Sequence, residues 1–329
     1  MANIRTLLFV VAAGALLAVS APAVAGQQAR EAGASLVARF GPEFTEPFTR
    51  TIQVAPNATL DLTSESGDVV VTGGSGTAVR IDAVKRVRQP SEAAARTLMQ
   101  TMVIRVSETS DRVEVRTELP PEGNWSGGVD YTIAVPDTLN VTLRTARGDQ
   151  RISNVRGELR ATTVSGTIRA SSVGKLRDAR TVSGDIEITD ASGEDVSAST
   201  MSGSVTVRTL KARFTEVDVK TGDVRFVDVE SEQVYVSAVT GNVDFTGRLA
   251  KGGRYQLRSH GGQVTLTPVG EAGFDLEAHS FSGDIRSDFP LPNSPSPGEP
   301  NQTLRGTVGD ASATVELRSF SGDVVIVKR

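Results

Sequence analysis

Apolar and polar residues alternate in short bursts along most of this chain, and each burst follows a glycine, mostly with Ser or Thr before it. Aligning on that glycine gives Gly67, Gly148, Gly166, Gly184, Gly203, Gly222, Gly241, Gly262, Gly283 and Gly322. Two residues after it stand Val69, Gln150, Ile168, Ile186, Val205, Val224, Val243, Val264, Ile285 and Val324. Two further on come Val71, Ile152, Ala170, Ile188, Val207, Phe226, Phe245 and Leu266, with charged or polar residues between the two columns. Such period-two alternation predicts a strand with one buried face. A second strand precedes the glycine. Its inward column, five residues earlier, reads Leu62, Leu143, Ala161, Ala179, Ala198, Val217, Val236, Leu257, Ala278 and Leu317.

A unit recurring about every 19 residues, with the same residue class at the same offset, predicts an all-β parallel solenoid. One unit cannot bury its apolar face alone, whereas stacked units do so and pair each strand with its copy one coil away. A β-sandwich also has regular short strands, but it has no need of matched columns. The glycines are read as structural turn residues, adopting a positive φ without steric cost, with the Asp or Asn that follows bonding its own backbone.

The unbroken array is expected over 140–289. Between Gly67 and Gly148 lies an α+β insertion, 79–135, with strands at Val79–Val87, Val103–Ser107, Arg112–Glu118 and Val129–Val135. Within it Ser91 is a candidate helix N-cap, and Ala95, Leu98, Met99 and Met102 follow at helical spacing. An end cap is the role expected of this insertion, because open solenoid ends need covering. Residues 26–58 are expected to pack on the first coil, 290–303 to form a Pro-rich loop, and 304–329 to form the final coil of a domain spanning 59–329.

Export follows from the first 25 residues. Arg5, an apolar run and Ala23-Val24-Ala25 have the form of a cleaved signal peptide, which leaves no membrane-spanning segment in the mature chain. There is no cysteine, so neither a disulfide nor a lipid anchor at the cleavage site is available. Without Arg5 the chain has 34 basic and 39 acidic residues, interspersed, and no basic patch for nucleic acid.

Candidate chemistry is sparse. The column after the glycine reads Asp149, Thr167, Asp185, Ser204, Asp223, Asn242, Gln263, Asp284. In sequence order no two of these carboxylates are neighbours, which keeps them ~9.6 Å apart at the spacing of sheet strands. Calcium wants several carboxylates around one point, so turn chemistry is the expected role. His260 and His279 stand at different offsets and are too few for a metal site. Asn57, Asn124, Asn140 and Asn301 head N-x-Ser/Thr triplets, which a Thr-rich chain produces by chance. No catalytic, cofactor-binding or metal-ligating residue is assigned. One column is left over: Val164, Val182, Met201, Val239, Phe281 and Phe320, interrupted by Lys220 and His260. It forms either an outward apolar stripe that could dock a partner or a second core column where the chain bends. The core is the expectation.

The segment LDLTSESGDVVVTGGSGTAVRIDAVKRVR, then a helix, DRVEVRTELP, VDYTIAVPDTLNVTLRTARGD and serial VSGTI, VSGDI and MSGSV units resembles the bacterial putative adhesin family. The likeness runs from about Leu60 to the end. It implies an exported β-solenoid of the cell envelope, periplasmic or extracellular, with a cell-surface glycan or an envelope protein as partner and no catalytic residues to carry over. A non-catalytic binding or structural protein is therefore expected. A polysaccharide-active β-helix enzyme and an envelope assembly factor are the alternatives.

Overall fold

The computed structural model of the protein describes residues 41–121, 125–271, 273–292 and 295–329. The expected signal peptide, residues 26–40, Asn124 and part of the Pro-rich loop lie outside the described residues. Among the described residues the fold is all-β apart from one short helix.

The strands are introduced in chain order. β1 (Glu43–Gln53), β2 (Thr59–Ser66), β3 (Val69–Gly74) and β4 (Ala78–Arg88) precede helix α1 (Glu92–Thr101). Then come β5 (Val103–Glu108), β6 (Arg112–Glu118) and β7 (Ser126–Pro136). The regular stack holds β8 (Asn140–Arg147), β9 (Gln150–Ser153), β10 (Glu158–Ser165), β11 (Ile168–Val173) and β12 (Lys175–Ser183). Four long bent strands follow, β13 (Ile186–Ser202), β14 (Val205–Thr221), β15 (Val224–Thr240) and β16 (Val243–Ser259). The last are β17 (Val264–Val269), β18 (Phe274–Ser280), β19 (Ile285–Ser287), β20 (Gln302–Val308), β21 (Ala313–Ser319) and β22 (Val324–Ile326).

Pairing through the stack is parallel and in register, with Ile168 beside Ile186, Ile186 beside Val205 and Val205 beside Val224. Each strand therefore lies against its own repeat, and identical residue classes meet. Ile168, Ile186, Val205, Val224 and Val243 are fully buried, as are Leu159, Ala179 and Leu257 on the preceding strand. Gln150 breaks the aliphatic column. It is also fully buried, and its amide donates to Thr145 Oγ1 at 2.9 Å and to the Thr162 carbonyl at 2.8 Å.

The stack does not follow the sequence at its ends. β6 and β7 run parallel to β2 and β3 on one side, while β8 and β9 pair with them on the other. Likewise β21 and β22 lie between β16–β17 and β18–β19. The final coil is thus the penultimate layer, not the outermost one, and the array expected to run unbroken over 140–289 admits it after β17. Parallel addition stops where antiparallel strands cover the edges: β4 on β7 and β5 on β6 at one end, β20 on β18 at the other. A covered edge cannot template a further strand. β1 pairs with β4 over its whole length, so this segment lies on the insertion rather than on the first coil. Helix α1 begins at Ser91, whose side chain accepts from the Ala94 N–H at 3.3 Å, and it buries Ala95 and Met99.

A second corner was not read from the sequence. Asn154, Ser172, Asp190, Thr209 and Asp228 all have φ between 52° and 58° and occupy one column of neighbouring coils. Asn and Asp tolerate the left-handed region, and the turn they make needs no glycine. Thr209, β-branched at φ 52°, is the strained member.

Tyr131 on β7 is 1% exposed, and its hydroxyl lies 2.6 Å from Thr117 Oγ1. Burial pushes its pKa up to about 12 from an ordinary 10. A raised folded-state value means the unfolded chain loses this proton first. The stabilisation is complete below pH 10 and is lost as pH climbs through 12. Two units correspond to about 2.7 kcal/mol. Thermal melts between pH 9 and 12 should show this alkaline loss, and Tyr131→Phe should flatten it.

Candidate functional site

Alternation along the strand before the turn determines what the turn edge presents. Positions five and three residues before each glycine point inward, so the position two before must point out. The inward hydroxyls fix that geometry: Thr181, Thr200, Ser259 and Ser319 each donate to the carbonyl of a turn glycine in the adjoining coil, at 2.8–3.2 Å. With the strand held in phase up to the turn, the leftover column cannot bend into the core. Val164 is 54% exposed, Val182 44%, Met201 58%, Val239 42%, Phe281 47% and Phe320 46%. The expected second core column is therefore an exterior ridge. The sequence already contained the deciding signal, since two inward columns at odd offsets leave the even one outside.

The order of coils sharpens the ridge. Through the stack it reads Val164, Val182, Met201, Lys220, Val239, His260, Phe320, Phe281, because β21 lies between β16 and β18. His260 and Phe320 stack with ring centroids 4.6 Å apart and planes 7° from parallel. Phe320 and Phe281 stack at 4.8 Å and 4°. These spacings are those of the sheet itself. Sequence order hides this triplet, in which residues from three distant segments form one exposed aromatic ladder. His279, by contrast, lies off the ridge and bonds Asn301 Oδ1 at 2.8 Å.

Backbone closeness at the turn is extreme. A Cβ on Gly148, Gly166, Gly184, Gly203, Gly222, Gly241, Gly262 or Gly322 would stand 2.0–2.2 Å from the carbonyl oxygen of the neighbouring turn glycine, and one on Gly283 2.3 Å from that of Gly322. At Gly67 the obstacle is the Val129 carbonyl, at 2.0 Å. Seven of these glycines, Gly67 through Gly241, have φ between 124° and 146°. Gly262, Gly283 and Gly322 do not, so a positive φ fails as the reason there, and the carbonyl contact replaces it.

The residue after the glycine acts between coils rather than on its own backbone. Asp149 N–H donates to Asp68 Oδ1, Thr167 N–H to Asp149 Oδ1 and Ser204 N–H to Asp185 Oδ1, at 2.8–2.9 Å. Asn242 N–H donates to Asp223 Oδ1 and Gln263 N–H to Asn242 Oδ1. Each short oxygen-bearing side chain thus satisfies the next layer's amide. Asp284 ends the series. The Gly298 N–H, with Gln302 and Arg286, holds its carboxyl below the usual carboxylate range.

The non-sequential stacking also corrects the charge spacing. Asp68 and Asp149 are in adjacent coils, as are Asp323 and Asp284. Arginines compensate: Arg151 reaches both members of the first pair, and Arg286 both of the second. Among the described residues no group of three or more His, Asp or Glu is placed to hold a metal ion. A concavity of about 630 Å³ is at the second corner, lined by Gly174 and Ser192 among others, with Arg156 and Lys211. It carries both signs of charge, including Asp190 and Asp228.

The architecture has relatives. The Toastrack DUF4097 family matches residues 175–327, the region that holds the long bent strands, the ridge and the inserted final coil. Residues 175–327, somewhat under half of the chain, are therefore similar to the Toastrack DUF4097 family. Among solved structures, a putative adhesin from Parabacteroides distasonis is 12% identical, with 86% of this chain and 97% of that one covered and a TM-score of 0.40. A putative adhesin from Bacteroides fragilis shows 12% identity, the same coverage and a TM-score of 0.38. A putative cell adhesion protein from Clostridium sporogenes is 11% identical, with 86% and 100% covered and a TM-score of 0.27. No curated protein matches. Among the described residues no helix is long and apolar enough to cross a membrane.

Proposed function

We propose that this protein is a non-catalytic, exported envelope protein, periplasmic or extracellular, whose turn-edge ridge is a contact surface. In this reading residues 1–25 direct export and 79–135 cap one end of a stack of ~19-residue coils, whose other end β20 covers. The observation that carries it is that, among the described residues, all the exposed large hydrophobics but two, Val84 and Val103, gather into one column. Scattered exposed apolar residues need no explanation, whereas a contiguous stripe marks an interaction site.

The ridge favours an envelope protein over a glycan. Sugars dock on open aromatic faces. Here the Phe320 ring has both faces covered, by His260 and Phe281.

Replacing Phe281 and Phe320 together by Ser should leave the fold intact, since neither ring is buried, and should lower retention on sedimented envelope material at least tenfold. The same protein on a polysaccharide panel should release no new reducing ends. Cleavage that disappears with a surface Asp would replace this reading with the enzyme one.

A further inference from the structure

Three features of the ridge constrain its partner. Its side chains recur at the coil spacing, ~4.8 Å, over eight positions, six of them apolar, a length of about 34 Å. A partner making continuous contact must present apolar groups at the same short period, which is what the edge of another stacked parallel β-array does. The ridge is also flanked unequally. Two residues before it runs a column with three half-exposed arginines, Arg180, Arg258 and Arg318, against one carboxylate, Asp218. Three residues after it runs the column of Asp149, Asp185, Asp223, Asp323 and Asp284. The acidic side is wrong for an anionic membrane surface, and the basic side alone is not available without it.

We infer that the partner is a second copy of this chain, joined ridge to ridge with the two solenoids parallel. This rests on the reading that the ridge is a contact surface. The flanks select the symmetry. With a two-fold axis along the solenoid, each basic column faces the partner's acidic column. With the axis across it, the solenoids run antiparallel, basic meets basic and acidic meets acidic. Complementary charge favours the first and opposes the second. With its flanks the strip is about 20 Å wide, which gives an area close to the ~800 Å² per partner of a standard interface. The aromatic ladders then meet at the same end, and both copies point the same way. Lys220 meets its own counterpart on the axis and Asp218 meets the second copy's Asp223 beside it, and these two like-charge contacts weaken the pair.

The chain has no cysteine, so single cysteines report the geometry cleanly. Val164→Cys, Val182→Cys and Val239→Cys should each form a disulfide-linked dimer on mild oxidation, because a residue on a parallel two-fold axis meets itself. Yields should exceed those of the off-ridge control Thr189→Cys at least fivefold. Lys220→Val should tighten self-association about tenfold in sedimentation velocity. Cross-linking of Val239→Cys to Val182→Cys in a mixture, without Val164→Cys homodimer, would overturn the parallel arrangement. No ridge cross-link above the control overturns the self-partner. If envelope retention still falls in the Phe281 and Phe320 variant, the ridge remains a contact surface for something else. If retention is also unchanged, the contact reading fails with it.

Discussion

Gly222→Ala should prevent the stack from forming in its native register. The new Cβ would stand 2.1 Å from the Gly203 carbonyl oxygen, and that obstacle is backbone held by its own ladder. Relief to an ordinary contact requires the two coils to separate by roughly 1 Å of a ~4.8 Å spacing, which breaks the hydrogen bonds on both sides of the turn. The φ of 135° is a second and independent penalty for a side chain. Together these place the cost above about 4 kcal/mol, at the diagnostic end of single substitutions. The contrast is Gly252→Asn. That glycine has φ 74°, with nothing within 4 Å of an added Cβ, and Asn tolerates the left-handed region. Denaturant titrations should show Gly252→Asn within about 1 kcal/mol of the parent. Gly222→Ala should unfold at far lower denaturant or fail to accumulate. Equal stability of the two variants would mean that the glycine column is a preference rather than a requirement.

What could be read from the sequence follows from where its periodicity reaches. Matched columns such as Ile168, Ile186, Val205 and Val224 identify strands and inner faces, because buried positions in stacked copies face one environment. Ser91 followed by Ala95 and Met99 is similarly local, and a cap plus spacing places a helix without tertiary information. The stacking order is not local. Nothing in residues 313–326 says that they enter between β17 and β18 rather than after β19, and three conclusions depended on it. The nearest carboxylates became neighbours, the aromatic ladder appeared, and the end of the stack moved to β20. The ridge itself was missed for a different reason, an expected bend where strict alternation continued. Thr181 and Thr200 explain why it continued: their hydroxyls are bound to the turn carbonyls and keep the strand in phase.

The inner side of the same stack carries the other large effect. Phe226 and Phe245 are in register on adjacent strands with centroids 5.6 Å apart, and Tyr255 meets Phe245 edge-on at 5.6 Å. All three are completely buried. They fill the layer where β16 departs from regular pairing, with Ser231 opposite Leu249 but Gln233 opposite Arg254. The extra residues widen the coil, and aromatic volume replaces the Val and Ile of other layers. The Tyr255 hydroxyl donates to the Ser231 carbonyl at 2.6 Å and accepts from the Ala250 N–H at 2.7 Å, so the plug is tied to the bulge it fills. Phe245→Ala removes the middle of the cluster. Neither neighbour can move in to close the space, because Phe226 is held by its ladder and Tyr255 by its hydroxyl. The transfer and cavity contributions add, and the loss should be about 3–5 kcal/mol by chemical denaturation. Phe245→Leu keeps much of the volume and should cost less than half as much. If the two substitutions cost the same, the loss comes from ring–ring geometry rather than from filled space. If both are near neutral, the widened layer is not packed around this ring.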